Sequence, residues 1–530
     1  MKTYTPPVIC SIIWIVSSVV TLIVAASLFR YLDETYFDEI LYRNLALTNS
    51  SERGSDWARD SNPVLVKFYF FEVINGQKFK SNRFENSYNK LVVPVFAERG
   101  PYVYEEIREK TEVKWFANGT VSFIPKLLYR FREDLSAGSE EDTLIVLNAL
   151  IVSAIKAFYA KWDPDQQLRY TFPKGRHEVE KEEQWNHKTI IPRLKVKDMI
   201  FGHPNTKLTI IHEFVKPPAA DFPEQDGMFG FTAKKSSEID EISMYTGEKD
   251  IAKLGAIYRR NGKEKLTLMG PATCERDFGS DPFTFPPNIK PDVELNIFDP
   301  NMCRPLPLRY KENRVHKDLA VHRFKINETY FSPDAEANNC YCDRGSGSKC
   351  RPRSCGFEGT ISTTNCKSGY RDWPLLYSKP HFLHGDVQLR DYLPVMKPNE
   401  ANHDSYIDFV PKLGIAVSAK IRMQLNIKIE NDFNKFYAYR PPHFGTIKEG
   451  IYPLFWFERG FDSLPETRLN KIRSTLNWPT LVRWSVSGTL LILSLIFAGI
   501  SFLILSYWPV PPGDFMAAKY PEEDQEFDDH

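Results

Sequence analysis

Across 530 residues, 68 Lys and Arg balance 68 Asp and Glu, so the chain has no basic surplus of the kind that draws a protein to nucleic acid. With 42% hydrophobic and 26% charged residues it has the composition of a folded protein, which excludes a disordered or fibrous chain. Eight cysteines are too few to replace a core, so cross-links can only staple a fold that burial already makes.

Residues 1–7 form a short tail, and Val8 to Phe29 then gives 22 residues without a charge. That exceeds the about 20 residues that cross a bilayer as a helix, so residues 8–29 read as a transmembrane helix. Lys2 and Ala25-Ala26-Ser27 resemble the flanks of a cleaved signal peptide, but the run is longer than the about 7–15 residues of a signal core. Cys10 lies near the cytoplasmic end, where reversible palmitoylation occurs. Ser17, Thr21 and Ala25 recur every four residues, a small face through which a second helix can approach.

Phe29 to Leu47 continues as a mixed apolar and charged helical segment. Val64 to Ile74 is rich in β-branched and aromatic residues and stops at Asn75-Gly76, so it reads as a strand ending in a turn. Leu91 to Phe96 is a further short strand, and Val113 to Phe116 with Thr120 to Phe123 frame Asn118-Gly119 as a hairpin. The window from Ser139 to Gly202 breaks this pattern. Ser139 to Asp142 reads as a capping box before a buried helix from Leu144 to Phe158; a charged helix follows from Glu178 to Trp185, and a third from Pro192 to Phe201 with Gly202 as its cap. Turn signals return from Gly247 onward.

Trp484 to Trp508 is a second uncharged run, of 25 residues, bounded by Arg483 and Trp508 as interfacial anchors. Within it Ser494 and Ala498 repeat the four-residue spacing, so small faces could let the two spans pair within the chain or between protomers of a homo-oligomer, although ordinary lipid-facing composition is the preferred account of the spacing. An acidic tail, 509–530, follows. The block between the spans, 30–483, must lie on one side of the membrane. It holds three N-x-S/T sequons, at Asn49, Asn118 and Asn327, and seven of the eight cysteines, five of them between Cys340 and Cys366. N-glycans and disulfides both belong to the lumenal or extracellular side, so the block is read as one ectodomain and both tails as cytoplasmic.

Catalytic signatures are missing from the sequence. His177-Glu178 and His212-Glu213 begin like a zinc-protease helix but place Lys181 and Lys216 where the second histidine ligand must stand. His381, His384 and Asp386 have metal-ligand spacing, but histidines satisfied in a polar turn are the preferred account of it. Nucleophile elbows, phosphate-binding loops and dinucleotide fingerprints do not occur. Cys340-Tyr-Cys342 lacks a zinc ligand gap, and seven ectodomain cysteines allow three bridges with one thiol over.

An ordered set of short motifs runs through the ectodomain: Phe68 to Asn75, Glu98-Arg-Gly-Pro-Tyr-Val-Tyr104, Trp115 to Thr120, Tyr245-Thr-Gly247, Phe285-Pro-Pro287, Phe298 with Cys303-Arg304, Cys340-Tyr-Cys342, Ser378-Lys-Pro-His-Phe-Leu383, then Pro398-Asn-Glu400, His403, Pro411, Gly414 and Gln424. With a membrane run at each end, this set resembles the class B scavenger receptors, the family of fatty-acid and lipoprotein scavenger receptors, lysosomal integral membrane protein two and the sensory neuron membrane proteins.

The resemblance implies a mainly β, barrel-like ectodomain with an inserted α-helical bundle as its apex, at about 139–202, and an apolar tunnel carrying lipid toward the bilayer. It implies a disulfide-rich region, 274–366, with bridges Cys274–Cys340, Cys303–Cys366 and Cys342–Cys355, leaving Cys350 spare; whether Cys350 or Cys355 pairs with Cys342 stays open. Phe158, Trp162, Trp185 and Lys188 are the residues expected to engage ligand at the apex. The partners implied are fatty acids, sterols, phospholipids and lipoprotein or other particles, bound by a receptor and transporter of the plasma membrane rather than by an enzyme, with no cofactor. Two other readings share the architecture: a lysosomal or endosomal sorting receptor in which His177 or His187 senses acid, and a phagocytic pattern-recognition receptor.

Overall fold

The computed structural model describes residues 6–32, 34–59, 64–76, 92–149, 152, 192–204, 228–229, 240–267, 275–299, 302, 304–333, 335–336, 338, 357–362, 374–430 and 447–507. The chain forms two compact units, Met1–Arg43 with Glu466–His530, and Asn44–Pro465.

In the first unit α1 (Pro6–Tyr31) and α6 (Glu466–Tyr507) are the terminal helices, and both are long and apolar enough to cross a membrane. Two helices of this kind were expected, but α6 is 42 residues long, about 63 Å at the usual rise, so its charged first part extends well past the apolar run that begins at Trp484. The helices lie against each other along a seam with a period of seven. Ser11, Ser18 and Ala25 on α1 fall opposite Ser501, Ser494 and Ser487 on α6; Ser18 is half-buried and the other five are buried. Ser18 Oγ donates to the Ser494 carbonyl at 2.9 Å and Ser494 Oγ donates to the Ser18 carbonyl at 2.9 Å. Two turns further, Ser501 Oγ donates to the Ser11 carbonyl at 3.1 Å, and the two hydroxyl oxygens are 2.9 Å apart. Small residues admit close backbone approach, and a strict seven-residue repeat keeps the seam facing its partner by a left-handed supercoil.

Of the four-residue faces expected, Ala25 and Ser494 stand in this seam, whereas Ser17, Thr21 and Ala498 do not. The Thr21 hydroxyl instead donates to carbonyls of its own helix, at Ser17 and Ser18. Trp14 against Phe497 and Phe29 against Trp484, with ring centroids 5.2 and 5.3 Å apart, fill the flanks. Arg483 donates to the Phe29 carbonyl at 3.0 Å while its guanidinium lies over the Phe29 ring.

The second unit is built on one sheet of thirteen strands. The strands are β1 (Val64–Val73), β2 (Phe96–Phe116), β3 (Thr120–Phe131), β4 (Ile242–Tyr245), β5 (Ile257–Arg260), β6 (Leu295–Asp299), β7 (Arg304–His316), β8 (Leu319–Ile326), β9 (Thr360–Ser362), β10 (Leu375–Ser378), β11 (Tyr406–Val410), β12 (Ile415–Ile429) and β13 (Gly450–Phe461). Their order is β6-β7-β8-β11-β12-β13-β1-β2-β3-β4-β5, and β9 joins through β10 to β12; every pair is antiparallel. The helices of this unit are α3 (Glu52–Arg59), α4 (Val196–Phe201) and α5 (Glu400–His403), while α2 (Glu34–Leu45) belongs to the first unit but for its last two residues.

The sheet is therefore not a closed barrel. Its edge strands β5 and β6 do not pair as a ladder; Gly279 and Ser280 link them through single bridges, the Ile257 N–H donating to the Gly279 carbonyl and the Ser280 N–H to the Asn296 carbonyl. Several strands are far longer than the short ones expected: β2 has 21 residues and β12 has 15. Glu, Lys and Arg stand along these strands, at exposed positions such as Glu109 and Lys114 and at buried ones such as Glu106 and Arg422, which weakens the apolar signal without weakening the ladder.

Two expectations in the 139–202 window are corrected. Asp142 accepts from the Ser139 N–H and Ser139 Oγ from the Glu141 N–H, but these bonds close a turn rather than cap a helix. The apolar run then begins as a strand, Thr143–Ile145, paired with Arg193–Lys195, where a helix had been expected from Leu144 and from Pro192. Cross-strand pairing between the two ends of the window outweighs the helical periodicity within each. Gly202 does cap α4, its N–H donating to the Asp198 carbonyl.

Candidate functional site

The central strands present two contrasting faces. On β1, Val66, Phe68 and Phe70 point into the apolar core with Tyr102 and Tyr104 of β2 and Phe455 and Phe457 of β13. The alternate positions Lys67 and Tyr69, with Trp456 and Glu458 on β13 and Arg422, Gln424 and Asn426 on β12, face a polar interior. Alternation of side chains along a strand separates the two sets. A bulge adds one more member. The β1–β2 register shifts between Phe68 and Phe70, where Gly100 takes φ +137°; a Cβ there would meet the Phe68 carbonyl oxygen at 2.5 Å. Beyond the bulge, Glu98 approaches His381 on the polar face.

The other half comes from two loops. After β10, Pro380 starts a tight turn in which His381 and Phe382 both adopt φ of +54°. That conformation is costly for residues with a Cβ and persists because hydrogen bonds impose it. The His381 N–H donates to Gln424 Oε1 at 2.7 Å, and His381 Nδ1 accepts from the Lys397 N–H at 3.0 Å. The neutral ring therefore carries its proton on Nε2, which lies 2.7 Å from Glu98 Oε2. Asn399 caps α5, and at the other end of this helix His403 Nδ1 accepts from the Asn399 N–H at 3.0 Å. The two imidazoles stack in parallel, 4.2 Å apart and tilted by only 8°, and Trp456 packs on the pair while stacking on Tyr69 at 3.8 Å.

Ionic pairs surround the histidines. Asp404 accepts from Lys379 and lies against Lys325, each at 2.8 Å; Glu458 accepts from Lys67 at 2.8 Å and from Arg422 at 2.7 Å. Arg422 also donates to the Asp404 and Ala401 carbonyls, and Asn426 to Ser378 Oγ. Farther along the sheet Glu106 holds Arg459 in a two-pronged pair, as Asp408 holds Arg323. Burial alone would raise the Asp404 and Glu458 carboxyls, but the cations bonded to them bring both below their ordinary values. Burial likewise opposes ionisation of Glu98, and His381 with Trp456 reverses it. His403 is pushed down to about 4, first by burial and then by the adjacent His381 ring, so the stack is built for a neutral imidazole at that position.

These groups hold proton-linked charge inside the sheet. Glu98, Ser378, Lys379, His381, Glu400, His403 and Gln424 belong to sequence motifs singled out above, so the structure brings together residues far apart in the chain. His381 and His384 do not converge on a common point: His384 Nε2 turns to Glu400 at 2.9 Å. Among the described residues no group of three or more His, Cys, Asp or Glu is placed to hold a metal ion. Arg422, Glu458 and Lys67 went unnoticed in the sequence, although charges inside otherwise apolar strands are the signal that marks them.

The expected ligand residues Phe158, Trp162, Trp185 and Lys188, the sensors His177 and His187, and the cysteines Cys274, Cys303, Cys340, Cys342, Cys350, Cys355 and Cys366 lie outside the described residues. Cys10 is exposed on α1 as a free thiol. Of the sequons, Asn49 and Asn118 are exposed and Asn327 is half-buried.

Residues 15–505 match the model of the CD36 family. The chain belongs to the CD36 family. Relatives of comparable similarity include sensory neuron membrane protein 2 of Manduca sexta, 26% identical over 507 residues that cover 90% of this chain and 91% of the relative. Scavenger receptor class B member 1 of Rattus norvegicus is 25% identical over 467 residues, 86% of this chain and 83% of the relative. Lysosome membrane protein 2 of Rattus norvegicus is 25% identical over 501 residues, 94% and 93%. With its two terminal helices the chain is a membrane protein of this scavenger-receptor family.

Proposed function

We propose that this CD36-family protein is a receptor that takes up apolar lipid, free or carried by lipoprotein-type particles, and passes it through the 44–465 unit toward the bilayer entered by α1 and α6. Both tails are cytoplasmic in this reading, and the protein works at the cell surface. The observation that carries it is the aromatic face. Six rings from β1, β2 and β13, those of Phe68, Phe70, Tyr102, Tyr104, Phe455 and Phe457, form one apolar wall with neighbouring centroids 5.7–6.3 Å apart. An apolar ligand needs such a wall rather than specific polar contacts, gaining roughly 25 cal/mol per Å² removed from water. Phe158 and Trp162, with Trp185 and Lys188, would load the passage, the rings meeting acyl or sterol surface and the ammonium attracting a headgroup.

Mass spectrometry of lipids copurifying with the full chain tests this reading, together with uptake of a fluorescent fatty acid or sterol by cells. A Leu425→Trp and Phe70→Trp pair that blocks the wall should abolish uptake while particle binding persists, with the melting temperature as the control for folding. Uptake that survives in the folded double variant, or that falls together with particle binding, would overturn the passage. Surface labelling before and after permeabilisation separates the cell surface from lysosomal residence.

A further inference from the structure

The turn joining β2 to β3 reads Phe116-Ala117-Asn118-Gly119-Thr120, with a sequon at its centre and an exposed aromatic two residues before it. Phe116 and Thr120 are the last register pair of the hairpin, so the ring and the threonine stand side by side on one face. The turn is fixed: the Gly119 N–H donates to the Phe116 carbonyl at 3.1 Å, and the Gly119 carbonyl accepts from both the N–H and the Oγ1 of Thr246. Gly119 has φ +79°, and a Cβ there would collide with Lys249 at 2.7 Å. Thr120 Oγ1 donates to Asn118 Oδ1 at 2.6 Å, which orients the side-chain amide. Asn118 lines a cleft of about 340 Å³ together with the aromatic Phe116 and Tyr258, the hydroxyl residues Ser122 and Ser243, and the charged Glu241 and Arg259. That volume is at the low end of the roughly 300–1,000 Å³ range of small-ligand sites.

We propose that the cleft is the seat of the first sugar of an N-linked glycan on Asn118. In forming it, Asn118 Nδ2 makes a C–N bond to the anomeric carbon of N-acetylglucosamine carried on a lipid diphosphate. The anomeric C–O bond breaks, the diphosphate leaves with the electron pair, and the amide proton passes to the transferase's base. The apolar face of the sugar ring then covers Phe116, which is 47% exposed, and its hydroxyls meet Glu241, Arg259 and the edge of Tyr258. The other sequons lack this setting. Asn327 is half-buried, its Nδ2 donating to Glu294 at 3.3 Å and its Oδ1 accepting from Thr329. Asn49 has the buried aliphatic Leu47 two residues before it in place of an exposed ring. The glycan at Asn118 is therefore a structural part of the β2–β3 hairpin. This inference rests on the lumenal or extracellular placement of the 44–465 unit.

Peptide mapping of the full chain from animal cells reads occupancy, and thermal unfolding in detergent reads the seat. The folded protein is compared intact, trimmed to one N-acetylglucosamine at each site, and fully deglycosylated. Asn118 should be occupied. One retained sugar should keep the melting temperature of the intact protein, and full removal or Asn118→Gln should lower it by several degrees. Phe116→Ala should erase most of the difference between the trimmed and bare forms. Enzymatic trimming after folding keeps the test valid if Asn118→Gln fails to mature. If Asn49 or Asn327 carries a glycan and Asn118 does not, or if the trimmed-to-bare difference is the same with Phe116 and with alanine, the seat is wrong. Absence of glycan from all three sequons would instead overturn the placement on which the inference rests.

Discussion

The helix seam and the histidine-centred network both bury polar groups, yet they solve the problem with different chemistry. Between α1 and α6 the buried groups are neutral hydroxyls, and each of the inner pairs returns its proton to a carbonyl of the opposite helix. In the sheet they are full charges, each held by an opposite charge and often by a second one, as Asp404 is by Lys379 and Lys325. Where water is excluded along the whole length of an element, an ion pair costs more than it returns, whereas a hydroxyl can be satisfied locally. Inside a sheet supported by loops, charges can be paired from several directions, and the result is a network that fails when one member is removed.

The largest expected effect comes from breaking that network one-sidedly. Asp404→Ala leaves Lys379, which is only 3% exposed, without its carboxylate, and should cost about 3–5 kcal/mol. A steep fall in melting temperature and loss of surface expression would show it. Glu458→Ala, which strands Arg422 and Lys67, should behave alike; a stable, normally trafficked variant of either kind would mean that the pairs are solvated and interchangeable.

Acid is the next lever. His403 titrates at about 4 in the fold against an ordinary value near 6.5, so the unfolded chain binds the extra proton first. The stabilisation is fully present above pH 6.5 and is lost as pH falls toward 4; the depressed carboxyls of Glu98, Asp404 and Glu458 lose theirs below the ordinary carboxylate range. Melting curves at pH 7.5 and 5.0 should differ by several degrees, and His403→Phe should flatten the dependence between them. An unchanged slope in that variant would assign the acid sensitivity to other groups.

Smaller effects belong to the seam. Replacing Ser18 with alanine should weaken helix association by about 0.6 kcal/mol, the typical worth of one such bond in a membrane protein. Ser487→Ala should cost less, because the Ser487 hydroxyl is buried without a hydrogen-bond partner opposite Ala25. Cysteines sharpen the register. In a chain with Cys10 replaced, Ala25→Cys with Ser487→Cys should cross-link, and Thr21→Cys with Ala498→Cys should not, since those two positions are offset by about a heptad along the pair. Equal cross-linking of both pairs would dissolve the seven-residue seam.

The contrast also separates what could be read from the chain and what could not. Both apolar runs were legible, because a helix in hydrocarbon must satisfy its own backbone and cover itself with apolar side chains, so its whole requirement is written in consecutive residues. The hairpin at Asn118-Gly119 was legible for a similar reason: a two-strand turn depends on a few neighbouring φ angles. The seam was half legible. Its serines stand every seven residues on both helices, but a four-residue spacing of other small residues competes with them, and only packing decides which face is shared.

The polar network was present in the sequence as motifs without a meaning. Glu98, His381, His403 and Gln424 could be quoted in order along the chain, but their contact depends on a bulge at Gly100, a strained turn at Pro380 and a register that sets β12 beside β13. The strand at Thr143–Ile145 failed as a helix for the same reason, since its partner lies at Arg193–Lys195. The sequence by itself determined the class of the molecule: a membrane protein with an apolar run at each end and a β-rich block between them. The open edge of the sheet, the heptad seam and the paired charges were decided only by the tertiary structure. Each depends on which distant segments meet, and for interactions that act over a few ångströms between residues hundreds of positions apart, periodicity along the chain carries no record of the partner.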